Sequence, residues 1–260
     1  MKSYLRKLLE PILKRYNLSL VLTHRLAQLK SYEEDVDRFM ALPEIQKTKL
    51  LQLLPSSKAQ LKQDLFVLSQ LNFKKEGYFV EFGATDGVQL SNTYLLEKSF
   101  AWKGILAEPA RCWQEQLQQN RTSHIETACV WKTSGATLLF EETSIPELST
   151  IAKFSQDDFM AGQRQQERQY KVNTISLLDL LNKYKAPVII DYLSIDTEGS
   201  EYEILRNFDF TKYQFRTITC EHNYTFNRNK IFTLLSQHGY ERKYTGFSKC
   251  DDWYVHKELV

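Results

Sequence analysis

In the stretch "VIIDYLSIDTEGSEYEIL", an apolar run from Val188 to Ile195 ends in acid. Asp196, Glu198, Glu201 and Glu203 fall within eight residues, with Gly199 among them. Carboxylates at that density either start a helix, where they favour the positive end of its dipole, or hold something. A second apolar run, "FRTITCEHN", ends in Glu221, His222 and Asn223. Two more strand-like runs end in "EFGATDG" and "AEPA", which place Glu81, Asp86 and Glu108 beside small residues. A sheet needs no acid at its strand ends for stability, so this pattern points to a ligand.

"EFGATDG" sets Gly83 and Gly87 at a strand-to-helix turn, where the backbone can approach a ligand closely. A dinucleotide fingerprint reads GxGxxG. Here the glycines enclose Asp86 and follow Glu81; these acids repel a pyrophosphate and welcome an ammonium group. Glu108 lies 25 residues after Gly83, close to the spacing of about 20 at which an acid accepts hydrogen bonds from ribose hydroxyls. Together the two loops suit a nucleoside carrying an amino-acid tail, and S-adenosylmethionine fits that description better than a nicotinamide dinucleotide. A plain tight turn and a surface glutamate are the alternatives.

These loops need a sheet to position them. From Gly77 onward, "GYFVEFG", "WKGILAEPA", "IETACVW", "ATLLFEE", the run from Val188, "FRTITCEHN" and "DDWYVHKE" have strand character. "LSNTYLLEKSF", "ISLLDLLNKY" and "KIFTLLSQHGY" have helical spacing. "ATLLFEE" reads as a hairpin arm after the Ser134-Gly135 turn. The alternation predicts an α/β fold with a mostly parallel sheet covered on both faces and ligands beyond the carboxyl ends of its strands. Residues 1–71 read as helices instead. "SYLRKLLEPILKRY" places Leu5, Leu8, Leu9, Ile12 and Leu13 on one face. A second helix follows Tyr32 and a third begins near Pro43. A fourth is capped by Ser56 or Ser57, with Leu61, Leu65 and Leu68 inward. The expected division is a helical N-terminal region over 1–71 and a sheet domain over 72–260.

Four motifs in order, "YFVEFGATDGVQLSNTYLLEK", "GILAEPA", "IDYLSIDTEGSEYEIL" and "TCEHN", resemble the FkbM family of S-adenosylmethionine-dependent methyltransferases, over roughly residues 60–257. The resemblance implies the class I methyltransferase (Rossmann-like) fold, with a seven-stranded, mostly parallel sheet and an antiparallel final strand. It implies methyl transfer to a hydroxyl of a sugar, glycan or related metabolite. Glu81, Gly83, Ala84, Asp86 and Gly87 would line the methionine end of the cofactor, Asn92 would reinforce that loop, and Glu108 would hold the ribose. Pro109 and Cys129 are candidates for the adenine wall. Asp196 and Glu198 would then face the sulfonium and the incoming acceptor, while Glu201 and Glu203 begin the next helix. Asp196 with Glu221 and either His222 or Asn223 also resembles the magnesium site of metal-dependent sugar and catechol O-methyltransferases, where a hard cation lowers a hydroxyl's pKa. His222 as a general base without metal is the other route, since imidazole titrates near neutrality. Both routes stay open.

The remaining features bound the answer. Net charge is +2, which gives no global field for nucleic acid, yet residues 1–30 carry seven Lys/Arg against the single acid Glu10. That basic end could lie on an anionic membrane; packing against its own domain or a second subunit is the favoured reading. Four scattered cysteines without CxxC spacing argue against zinc and fit reduced thiols in a cytosolic protein. No cleavable signal and no run of about 20 apolar residues is evident. "IPELSTIAKFSQDDFMAGQRQQERQY" lacks periodicity and is either a lid or acceptor-binding loop or a solvated insertion. A nicotinamide-dependent oxidoreductase and a non-catalytic interaction protein that keeps the fold are the rival functions.

Overall fold

The computed structural model describes residues 23–155 and 161–260. The helix expected over 3–16 lies outside the described residues, and with it most of the basic end. Eleven strands are present among the described residues: β1 (Tyr78–Phe82), β2 (Lys103–Ala107), β3 (His124–Glu126), β4 (Cys129–Trp131), β5 (Thr137–Thr143), β6 (Thr150–Ile151), β7 (Gln166–Ser176), β8 (Ile189–Ile195), β9 (Gln214–Glu221), β10 (Tyr240–Lys243) and β11 (Asp251–His256). Seven form one sheet in the order β10-β11-β9-β8-β1-β2-β3. Strands β3, β2, β1, β8 and β9 pair in parallel, and β11 runs antiparallel to both of its neighbours. The mostly parallel seven-stranded sheet with its antiparallel last strand is therefore present. Its order reverses at β1, which lies between β2 and β8, so the loops after these strands open onto one crevice.

The helices are α1 (Thr23–Met40), α2 (Glu44–Leu53), α3 (Gln63–Gln70), α4 (Tyr94–Phe100), α5 (Arg111–Asn120), α6 (Leu177–Lys183), α7 (Glu201–Leu205) and α8 (Asn227–Gln237). Side chains alternate across a strand, and here they feed two cores. Val80, Phe82 and Ile105 meet Leu180 of α6, Ile204 of α7 and Ile231 of α8. Phe79, Leu106 and Trp253 meet Phe66 and Leu68 of α3 and Leu95 of α4. The described part of the N-terminal region thus shares a core with the sheet. No helix among the described residues is long and apolar enough to cross a membrane.

Several local expectations are corrected. Neither Ser56 nor Ser57 caps α3: Ser56 ends a short 3-10 turn, and the Ser57 hydroxyl donates to Asp64 Oδ1 at 2.7 Å. The chain first bridges from Ala59 to Leu90, and the helix starts after Lys62 in a left-handed conformation. "IETACVW" is two strands, because Glu126 ends β3 in the large sheet while Cys129 opens β4 in a second sheet, ordered β4-β7-β5-β6. β5 is not a hairpin arm against β4, since β7 lies between them. The aperiodic insertion supplies β6 and the first five residues of β7; its apolar side chains Ile151 and Phe154 fill a small third core with Trp131 and Phe140. The chain is already helical at Thr23, the first described residue, ahead of the start after Tyr32 that the sequence suggests. The four cysteines are free thiols.

Candidate active site

A cavity of about 280 Å³ opens at the carboxyl ends of β1, β2, β8 and β9. Among the described residues, Glu81, Glu108, Glu147, Asp196, Glu198 and Glu221 line it, and no Lys, Arg or His does. Such a cavity holds a positive ligand and rejects an anion unless a cation accompanies it.

The β1 end is a finished structure. Glu81 is 2 % exposed and accepts from Asn92 N at 2.7 Å, Thr93 Oγ1 at 2.5 Å and the Ser91 hydroxyl. Arg121, wholly buried, donates to Gly87 O, Ser91 Oγ, Thr93 Oγ1 and Glu97, and its Nη1 lies 3.7 Å from Glu81. Burial pushes Glu81 up, and Arg121 with the three donors opposes it. Glu97 feels burial too, but Arg121, Ser123 and Thr122 N hold it at about 2. Gly83, at φ +74°, passes so close to β8 that a Cβ would lie 2.1 Å from the Asp196 carbonyl oxygen, so only glycine brings the two loops together here.

Of the residues expected to line the cofactor, Glu81, Gly83, Asn92, Glu108, Pro109 and Cys129 border the cavity. Ala84, Asp86 and Gly87 do not. Ala84 is buried in the second core. The Asp86 carboxylate accepts from Val88 N and Gln89 N, closing the turn, and Gly87 packs on Leu117 and Arg121. These three shape the loop and do not border the cavity. Asn92 donates to Ser194 Oγ, while its buried Oδ1 has no donor. Glu108 accepts from Thr85 N and Ala110 N, and burial raises it to about 7.

The β8 and β9 ends are arranged differently. Asp196, Glu198 and Glu221 each bring a carboxylate oxygen within 4.8 Å of the others. Burial lifts Asp196 to about 7, with Glu221 hydrogen-bonded to it and Asp251 and Glu201 adding charge. Glu221 is raised well above the carboxylate range by burial, then by Asp196 and Glu198. Among the described residues, no N–H or hydroxyl donor reaches buried Glu221 Oε2. An oxygen in that position is satisfied by a proton shared with Asp196 or by a cation, so the donor set fits a hard metal ion as well as it fits a proton. Asn223 borders the cavity and donates to Glu198 at 3.1 Å.

His222 is the main correction. It does not border the cavity. Its Nδ1 accepts from Tyr224 N at 3.0 Å, and Nε2 lies 3.7 Å from Asp252, which is held by Arg228 and Arg242. Burial pushes it down to about 4, only partly offset by Asp252. It is neither beside the carboxylates as a ligand nor placed to take the acceptor's proton, and Glu198 stands in the cluster instead. Glu201 reaches back to Thr197 N, Thr197 Oγ1 and Gly199 N, the capping role expected of a helix-start acid. Glu203 is near Lys132 and Arg206.

Residues 81–242 match the model of the methyltransferase FkbM domain. The chain belongs to the FkbM family. It is an S-adenosylmethionine-dependent methyltransferase. No curated protein matches it. Similar solved structures include precorrin-6y C5,15-methyltransferase from Geobacter metallireducens GS-15 (12% identity, 69% of this chain and 71% of that one, TM-score 0.38), the METTL16 MTase domain (11%, 75% and 65%, 0.38) and a human methyltransferase 10 domain containing protein (9%, 77% and 82%, 0.38). These likenesses are too distant to say anything about the acceptor.

Three features of the methyltransferase's site carry no local sequence signal. Arg121 follows α5 in an unremarked "QNRTS", Gln60 reaches the cavity from the N-terminal region, and Pro146, Leu148 and Ile151 of the insertion form one wall. A buried excess of acid does require buried base somewhere, which is the one general clue to Arg121.

Proposed function

We propose that the enzyme methylates a hydroxyl of a sugar, glycan or related metabolite, with the carboxylate of Asp196 taking the acceptor's proton. The observation that carries this reading is the Asp196–Glu221 pair in the cavity's acid cluster, where burial lifts Asp196 to about 7, a value that suits a general base. On this reading Glu81, Asn92 and Glu108 hold the cofactor and the pair meets the acceptor, and all of them line the one cavity. Phe140, Leu148 and Ile151 line the same cavity as Ser149, Asn223 and Gln60, a mixture of apolar and polar side chains that suits a ring carrying hydroxyls. In the transfer, the acceptor oxygen attacks the methyl carbon in line. The O–CH3 bond forms as the S–CH3 bond breaks, the sulfur keeps the electron pair, and the hydroxyl proton passes to Asp196. Loss of the sulfonium charge leaves neutral S-adenosylhomocysteine.

A metal-assisted variant has its own support in the donorless Glu221 Oε2. Asp196, Glu198 and Glu221 would hold magnesium, which when bound would lower the hydroxyl's pKa. Transfer of labelled methyl from S-adenosylmethionine to neutral saccharides tests the reading: wild type labels a saccharide and Asp196→Asn does not. Near-normal labelling by Asp196→Asn overturns the role of Asp196. Dialysis against chelator followed by magnesium separates the two variants, since a metal-free base keeps full activity throughout. Calorimetry with S-adenosylhomocysteine and with a nicotinamide dinucleotide separates this enzyme from both rival functions.

A further inference from the structure

The aperiodic insertion contains Arg164, whose side chain is wholly buried. Its Nε donates to Leu148 O at 2.9 Å, Nη1 to Ser155 O at 3.3 Å and Nη2 to Glu198 Oε2 at 2.5 Å. One guanidinium therefore holds both ends of residues 148–155 and one carboxylate of the cavity's acid cluster. The same strip is fastened again by the Thr150 hydroxyl, which donates to Glu198 O at 2.9 Å. It is also seated against the turn, because a Cβ on Gly199 would lie 3.0 Å from Phe154 Cβ. Glu198 itself is in a left-handed conformation, φ 55°, which a non-glycine residue keeps only where its surroundings enforce it. We propose that Arg164 is a positioning residue: an internal counter-ion that sets the Glu198 carboxylate in the acid cluster and fixes residues 146–151 as the wall at the acceptor end. Its planar fork matches this task, since three donors at fixed angles reach two carbonyls and a carboxylate, which the point charge of a lysine cannot do.

The inference rests on the reading that the transferring methyl lies at this cluster, and its test needs no acceptor. The sulfonium of S-adenosylmethionine is positive where S-adenosylhomocysteine is neutral, so the ratio of their affinities reports the net charge of the cluster. Calorimetry at pH 8 in chelator should show Arg164→Met raising the preference for S-adenosylmethionine about tenfold, because Glu198 loses its counter-ion. Glu198→Gln should lower the preference, and the double variant Arg164→Met/Glu198→Gln should return it to wild type. Thr150→Val, which removes a fastening without changing charge, should leave it unmoved. Equal weakening of both ligands in Arg164→Met, or additive effects in the double variant, overturns the proposal and leaves Arg164 a structural tie. If Arg164→Met does not fold, Glu198→Gln still decides: an unchanged ratio there overturns it as well. Failure of wild type to bind either ligand removes the placement of the cofactor instead, a distinguishable result.

Discussion

The cavity has two acidic ends, and their carboxylates are matched to different degrees. At the β1 end, buried Glu81 and Glu97 are matched by Arg121 and by donors from Ser91, Asn92, Thr93, Thr122 and Ser123. At the β8 and β9 ends, Asp196 and Glu221 sit side by side with their proton affinities raised and an oxygen left without a donor. A saturated network rigidifies, while an undersatisfied one stores a demand for charge that a ligand or proton must meet. On the proposed reading, the first end is scaffold for the cofactor loop and the second is equipped for chemistry.

That contrast breaks most visibly at Arg121. Replacing it with methionine strands two buried carboxylates, and removing one partner of such a pair costs about 3–5 kcal/mol; the melting temperature should fall by on the order of 10 °C, with S-adenosylhomocysteine binding reduced. Asp196→Asn should do the reverse: turnover falls at least ~100-fold while the melting temperature holds or rises, since an uncompensated buried acid is gone. If Asp196→Asn melts as low as Arg121→Met, the two ends are not different in kind. Glu221→Gln keeps a neutral donor beside Asp196 and should lose about tenfold in turnover, the worth of one hydrogen bond to a charged group.

The pH dependence of stability sharpens the comparison further. Groups raised in the fold, Asp196, Glu108 and Asp251 to about 7 and Asp64 to about 6, each mainly by burial, contribute stability that is present below their unfolded values. That stability is lost as pH rises through the folded ones. Glu97, held at about 2 by Arg121 against the effect of burial, has the opposite sign, and its contribution is lost as pH falls below about 4.5. The ligand-free protein should therefore melt highest near pH 4.5 and progressively lower towards pH 8, and Asp196→Asn should flatten the alkaline side. A melting temperature that climbs steadily to pH 8 contradicts the raised acids. The smallest effect belongs to Glu203→Ala. Its partners Lys132 and Arg206 are well exposed, so thermal melting should register less than about 0.5 kcal/mol.

The strand ends were legible in the sequence because each is a local pattern: an apolar run, an acid, then glycine, proline or a polar turn. Glu81, Glu108, Asp196 and Glu221 all line one cavity as that pattern suggests. His222 was not legible, since its neighbours in sequence are site residues while its partner Asp252 comes from β11. Glu221 ends β9, and the left-handed Asn223, at φ 41°, borders the cavity while His222 between them does not. Asp86 and Gly87 were legible as a turn, but a sequence does not tell whether a turn residue meets the ligand or the chain itself. The second sheet was hidden for another reason: β7 begins "QERQY", exposed on both sides, so no alternation announces it.

The bridge from Ala59 to Leu90, with Gln60 beside it at the cavity and Gln63 donating to Asp251 at 2.8 Å, reaches across what looks like a boundary. The family match starts at residue 81, and a protein engineer trimming to it, or to the apparent junction near 72, would excise part of the pocket's rim. The cut would also bare the faces of Phe79 and Trp253 that Phe66 and Leu68 cover, giving a sticky, leaky fragment. For expression and grafting, the minimal portable unit begins at or before Ser57, whose hydroxyl ties down Asp64.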